Sequence, residues 1–413
     1  MRRVRPSNAP TGRPQGVAAC RVWADLAQLT FVASPRFVLE RGTRQTQGAP
    51  GSADRGHASG AVVRPRDPST GAAFAVSART AFLIRRLRRP RVLKAVAPGP
   101  LRPEEAGSVV RLVLDGVLEI EIDGRFVSGP AAWDQLCDPP RRRIPANRSA
   151  RLTLEALAYG ERLLPMPVAL LAYRLYRYNT IPASPRWRAR FPSSSAVAGW
   201  LGLDEIERQP RFRTHHWIAN ARTGRSEPWF SWHRDPASQS QETGLPTYKL
   251  YVSPDPAGIR DVFQAAARLI IDSDAFAFKV GGDVFGVLRP DKLVAHFASH
   301  HSLMNTANAL GSKLRGMRAQ GVPFTAPLDA NGLISLGVDP SSSAHGDGME
   351  HESWRLGIAG RLAGSIAVAA SGSSGALTPA QFALARLTID GIDLLASSGS
   401  RAVRSFAKSF GTA

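Results

Sequence analysis

Cysteine is nearly missing: Cys20 and Cys137 are the only two in 413 residues. So few, in such unlike settings, argue against a disulfide framework and fit a cytoplasmic compartment. Long apolar runs are missing as well. None reaches the ~18 residues that a membrane span needs, so no membrane association is expected. The basic start MRRVRPSNAPTGRP has no apolar core behind it, so no secretory signal is expected either. There is no Walker-type glycine loop to cradle a nucleotide and no Gly-x-Ser-x-Gly elbow to raise a serine nucleophile. His296 and His300 stand four apart, as in helical zinc sites, but lack a neighbouring glutamate and a third ligand. Neither a metal nor a cofactor is expected.

What is present is ordinary in bulk and uneven in place. Hydrophobic residues make up 43% and charged residues 21%, enough for a sizeable core and two or three domains. The net charge of +20 suggests nucleic acid until it is located. Residues 1–99 hold 18 Lys/Arg against four Asp/Glu, so most of the excess lies there. That segment is rich in Arg, Pro, Gly, Ala and Ser, and its composition predicts disorder. Two islands interrupt it, at 22–40 and 81–96, the second reading as a basic amphipathic helix. Any nucleic-acid contact is expected from this segment and not from the body.

Order is expected from about Leu101. Two strands are predicted at 109–114 and 117–122, joined by an Asp115-Gly116 turn. Glu119 and Glu121 then share a solvent face by their two-residue spacing, which explains them without acid–base work. A helical pattern runs from Ala150 to Tyr178, broken at Pro165 and Pro167. Residues 211–235 crowd three tryptophans, three histidines and five arginines together. They read as two edge strands around an ARTGRS turn, lining a polar cleft, or as a base-stacking surface. Helices follow at 352–370 and 378–395, the last capped by Thr378 with Pro379 behind it. The organisation expected is a disordered Arg-rich segment at 1–99, a helix-rich part with a hairpin at 100–245, and an α+β part at 246–400. The fold class is α+β, with a mixed or antiparallel sheet flanked by helices.

The chemistry concentrates in 248–340. YKLYVS alternates so that Lys249 faces away from Leu250. FAFKVGGDVFGVLRPDKLVAHF places Lys279 in an apolar strand before a Gly-Gly-Asp turn. A lysine there either snorkels outward or is held by an anion in a cleft. Desolvation beside other cations lowers a lysine's pKa and lets it act as a base. Arg289-Pro290-Asp291-Lys292 is a turn that presents a guanidinium fork to phosphate, or one held by its own Asp–Arg or Asp–Lys pair. Lysine, arginine and histidine without metal or nucleotide loop are compatible with β-elimination. That reaction needs a base for the Cα proton, cations for the leaving phosphate and an acid to protonate it.

Over roughly 150–395, and best in YKLYVS, FKVGGDVFGVLRPDKLVAHF and GVPFTAPLDANGLISLGVDP, the sequence resembles the HopA-like family, named for a bacterial type III effector. Homologous proteins occur in actinobacterial clusters for ribosomally made peptides. The resemblance implies a phosphoserine/phosphothreonine lyase that works beside a separate kinase and turns a phosphorylated precursor peptide into a dehydroamino acid. It implies Lys279 or Lys249 as base, and Arg289 and Lys292 as phosphate ligands; Arg222 of the ARTGRS turn is a further candidate phosphate ligand. It leaves His216 or His233 as the acid. The alternative is a non-catalytic peptide- or phosphopeptide-binding partner of a biosynthetic complex.

Overall fold

A computed structural model of the chain describes residues 26–41, 59–70, 73–97, 103–137, 145, 147–220, 229–235, 246–339, 353–371 and 375–395. Ordered structure begins well before Leu101. Strands β1 (Thr30–Ala33), β2 (Phe37–Arg41), β3 (Ser59–Pro65), β4 (Phe74–Ser77) and β5 (Arg91–Val92) all fall within 1–99. So do helices α1 (Ala78–Arg86) and α2 (Leu93–Val96). The low-complexity composition hid a small core in this stretch: Phe31, Val63, Leu83, Leu87 and Leu93 are buried together. The two apolar islands supply most of it. The rest of 1–99 lies outside the described residues.

That core is completed by α3 (Pro103–Leu114), β6 (Leu118–Ile122), β7 (Arg125–Val127) and α4 (Pro130–Leu136). The expected strand at 109–114 is therefore the end of a helix. A short apolar run fits either element, and here Val109, Val110, Val113 and Leu114 are buried at helical spacing. The hairpin turns at Asp123-Gly124 instead, between β6 and β7. Strands pair in the orders β5-β1-β6-β7 and β2-β3-β4.

The larger body carries α5 (Arg148–Arg162), α6 (Val168–Tyr176), α7 (Pro185–Arg190), α8 (Ser194–Leu201), α9 (Leu203–Glu207) and α10 (Pro210–Thr214) ahead of its sheet. Strands β8 (Trp217–Ala219) and β9 (Trp229–Arg234) pair as expected, but only β8 is an edge strand, because β9 also pairs with the strand at Ala277–Gly281. Then come β10 (Thr247–Val252), α11 (Ile259–Ile271), β11 (Ala277–Gly281), α12 (Val284–Val287), β12 (Leu293–Phe297) and α13 (His300–Lys313). The short strands β13 (Ala326–Pro327) and β14 (Ile334–Asp339) lead to α14 (Trp354–Ser371) and α15 (Pro379–Ile389). Seven strands form one antiparallel sheet in the order β13-β14-β10-β12-β11-β9-β8, so the class is α+β.

Helix α15 joins the two cores. Its Thr378 closes a capping box with Gln381. Phe382 meets Trp133 edge-on at 6.0 Å, and Arg386 forks onto Asp115 at 2.8 and 2.7 Å while also reaching Asp390. No helix among the described residues is long and apolar enough to cross a membrane.

Candidate active site on the polar face of the sheet

Residues paired across antiparallel strands point to the same face. One face of the large sheet carries Val338, Leu250, Ala295, Phe278 and Trp232, and it is dry. Trp232 stacks on Phe278 at 4.6 Å, and Phe263 of α11 closes over it at 6.2 Å. The other face is polar. One row runs Gly337, Lys249, His296, Ala277, His233, Ile218, and the next runs Ser335, Tyr251, Val294, Lys279, Ser231. Period-two alternation in YKLYVS and FAFKV thus puts Lys249 and Lys279 on one surface, two strands apart.

Lys249 is 8% exposed and forms an ion pair with Asp339. The other oxygen of Asp339 accepts from the Trp354 backbone N–H at 2.7 Å, at the start of α14. Gly337 is needed between them: a Cβ there would stand 2.5 Å from the Trp354 ring. Trp354 is fixed in turn by its indole N–H, which donates to the Phe324 carbonyl at 2.8 Å.

Lys279 has no carboxylate in contact among the described residues. Its ammonium lies 4.6 Å from the centre of the Trp229 ring, and the Arg289 guanidinium lies 5.1 Å from the same ring. Burial lowers the Lys279 pKa, and the charges of Lys249 and Arg289 lower it further against Asp291 and Asp339. Arg289 forks onto Asp291 at 2.8 and 2.9 Å, and Arg355 pairs with the same carboxylate at 2.8 Å. Burial pushes the Asp291 carboxyl up, but Arg355 and Arg289 hold it well below the usual range. Both guanidinium groups also approach the Tyr176 ring, Arg289 at 5.3 Å and Arg355 at 4.9 Å from its centre. Its hydroxyl accepts from Arg289 at 2.5 Å. The RPDK turn therefore does hold itself with an Asp–Arg pair, yet the Arg289 guanidinium still lies beside Trp229.

The structure brings Lys249, Lys279 and Arg289 together and leaves out Lys292. Lys292, expected among the phosphate ligands, is fully buried and donates to the Pro254 carbonyl at 2.8 Å and to the Gln320 side chain. Burial brings its pKa down to about 7 against Asp255 and Asp291. His233 shares the row of Lys249 on the far side of β11, and His216 stands exposed just before β8 with φ of +54°. Arg222 lies outside the described residues.

Sequence reading missed His296. A helical reading of 296–300 turned it toward His300, whereas His296 is on strand β12 and His300 opens α13. It faces Lys249 and Lys279 directly. Burial and then those two charges push its pKa well below the ordinary value, with only the Ala277 backbone opposing. No group of His, Cys, Asp and Glu among the described residues is arranged to hold a metal ion. Trp229 belongs to the tryptophan-rich 211–235 segment read as lining a polar cleft, whereas Asp339 and Arg355 carried no sequence mark beyond residue type. Chemically, the face offers four cations against two carboxylates in a desolvated setting, which suits a dianion.

No family model matches the chain, and no curated protein matches it. Among solved structures, an effector protein from Pseudomonas syringae pv. syringae strain 61 is 14% identical, with 62% of this chain and all of that chain covered and a TM-score of 0.35. The phosphothreonine lyase effector VirA (SpvC) of Chromobacterium violaceum is 16% identical, with 34% and 75% covered and a TM-score of 0.26. The type III effector and phosphothreonine lyase OspF of Shigella flexneri is 13% identical, with 35% and 91% covered and a TM-score of 0.25. At these scores the likeness leaves the reading of the site to the site's own residues.

Proposed function

We propose that the polar face is the active site of a lyase that eliminates phosphate from a phosphorylated threonine or serine of a polypeptide. One observation carries this reading: Lys279 and Arg289 converge on Trp229, beside a Lys249 already neutralised by Asp339. That supplies one amine whose pKa burial lowers, one lysine paired with a carboxylate and one guanidinium for the phosphate. Lys279 takes the Cα proton. The C–H electron pair forms the Cα=Cβ bond, and the Cβ–O bond breaks toward the phosphate. Arg289 and the Lys249 ammonium stabilise the charge on the departing oxygens. His296 shares the face with Lys249 and Lys279. In the free protein burial and those charges disfavour its protonated form, and a bound phosphate dianion, by offsetting the lysines, is what would let it donate a proton to the leaving oxygen. Such a substrate requires a prior phosphoryl transfer to Ser or Thr, the work of a separate kinase, here as in a peptide-modifying cluster.

A second reading has one observation in its favour. Burial and the neighbouring lysines disfavour the charged form of His296, which weakens it as a proton donor and suits phosphopeptide binding without turnover. Incubation with a phosphothreonine peptide separates the two. Elimination yields a product lighter by one phosphoric acid, with no oxygen from labelled water in the phosphate. Regenerated threonine would mean a phosphatase, and tight binding with an unaltered peptide would select the binding protein. Lys279→Met is expected to abolish elimination while leaving the fold intact, since Lys279 is half-buried and has no carboxylate to orphan.

A further inference from the structure

The polar face is closed at one end and open at the other. At the β14 and β10 end, Lys249 is 8% and Tyr251 3% exposed, Trp354 rests on Gly337, and Arg355 backs Asp291. Toward β8 this cover ends. Lys279, Ser231 and His233 are half-buried, and Asn220 is exposed with its side-chain amide on the Ser231 hydroxyl at 2.7 Å. Ile218, paired with His233 in the same row, is 43% exposed. Among the described residues it is a β-branched apolar side chain left partly open, on a surface whose neighbouring positions His233 and Asn220 are polar.

Resting on the lyase reading, we infer that this open half seats the substrate polypeptide and that Ile218 receives an apolar side chain three to four residues from the phosphorylated one. The occupant is an extended phosphopeptide, because the platform is continuous with the Lys279 and Arg289 cations that would hold its phosphate. Pairing to the edge of β8, the last strand of the sheet among the described residues, does not serve. A strand added there would lie three strand spacings from β11, about 14 Å, against the roughly 5 Å that a side chain and its phosphate span. The peptide therefore crosses the face. Lys279 and Ile218 are two strand spacings apart and offset by two residues, about 12 Å, which three to four extended residues cover.

The test uses full-length protein and phosphothreonine peptides of Gly/Ser background. A single leucine is moved from one to six residues away on either side. KM is expected to be lowest with leucine three or four residues away, and leucine→aspartate there to raise it about tenfold. Ile218→Asp is expected to erase this preference, the loss falling in KM; the side chain is exposed, so the variant folds. A KM indifferent to the leucine's position overturns the inference, as does a preference that survives Ile218→Asp. If no peptide loses phosphate, the same series is measured by fluorescence anisotropy. Position-dependent affinity that Ile218→Asp erases then upholds the platform and refutes the lyase, while flat affinities refute the platform.

Discussion

Asp291→Asn is the sharpest perturbation of the charge network behind the site. The change keeps shape and removes one charge. Asp291 is 6% exposed and faces Arg289 at 2.8 and 2.9 Å and Arg355, itself 1% exposed, at 2.8 Å. Removing one partner of a buried pair costs about 3–5 kcal/mol, because the remaining charge stays buried. Here two guanidinium groups are left, so the upper end is expected. At about 2–4 °C per kcal/mol for a body of this size, the midpoint falls by roughly 10–20 °C. The pH dependence gives an independent check. The folded-state pKa of Asp291 is depressed, so its contribution is fully present above the unfolded carboxylate value near 4. It is lost as pH falls through the folded value. The gap between wild type and variant is therefore widest at neutral pH and closes in acid. Urea titrations at a series of pH values measure it. A loss under about 1 kcal/mol at pH 7, as for an exposed pair, would refute the reasoning, and so would a gap that stays constant into acid.

Lys249→Met removes a charge that lowers the Lys279 pKa and frees Asp339, which raises it. The rising limb of kcat/KM against pH is expected to move to higher pH by on the order of one unit; a limb that stays put would take the base away from Lys279. Lys292 carries a pKa of about 7 in the folded chain, against ~10.4 unfolded. Between these values the unfolded chain binds more protons, so stability rises with pH by up to ~1.4 kcal/mol per unit. Lys292→Met is expected to lose that component between pH 7 and 9.5, and equal slopes in the two proteins would show the lysine is not desolvated. Gly337→Ala places a Cβ 2.5 Å from the Trp354 ring, and this overpacking is expected to cost about 1–3 kcal/mol and to weaken phosphopeptide binding through Arg355 and Asp339. A stable, active alanine variant would mean that Trp354 yields freely.

Much of the candidate site was legible where backbone periodicity alone decides. Alternation fixes which residues of a strand share a face, so YKLYVS and FAFKV place Lys249 and Lys279 correctly relative to their own apolar neighbours. The cap at Thr378, the helices on either side of Pro165–Pro167 and the β8–β9 pair were equally local matters. Misreadings arose where a short apolar run suits two elements. VVRLVL at 109–114 became helix because the surrounding core accepts a helical stripe, and 293–297, open to either element, became strand because β10 and β11 lie on either side of it.

The sequence by itself determined the α+β class, the two lysine-bearing strands and the cationic turn. It also held the raw material of the second core, Phe31, Leu83 and Leu87, in islands that a basic, Gly- and Pro-rich setting obscured. Only the tertiary structure decided which cation does what. Lys292 and Arg289 are three residues apart in one turn, yet one is turned inward onto Pro254 and Gln320 and the other onto Trp229. The partners that fix this choice, Tyr176, Gln320 and Arg355, come from distant helices and loops. Charge burial is set by whichever segments pack over a residue, and that is a property of the folded chain and not of spacing along it.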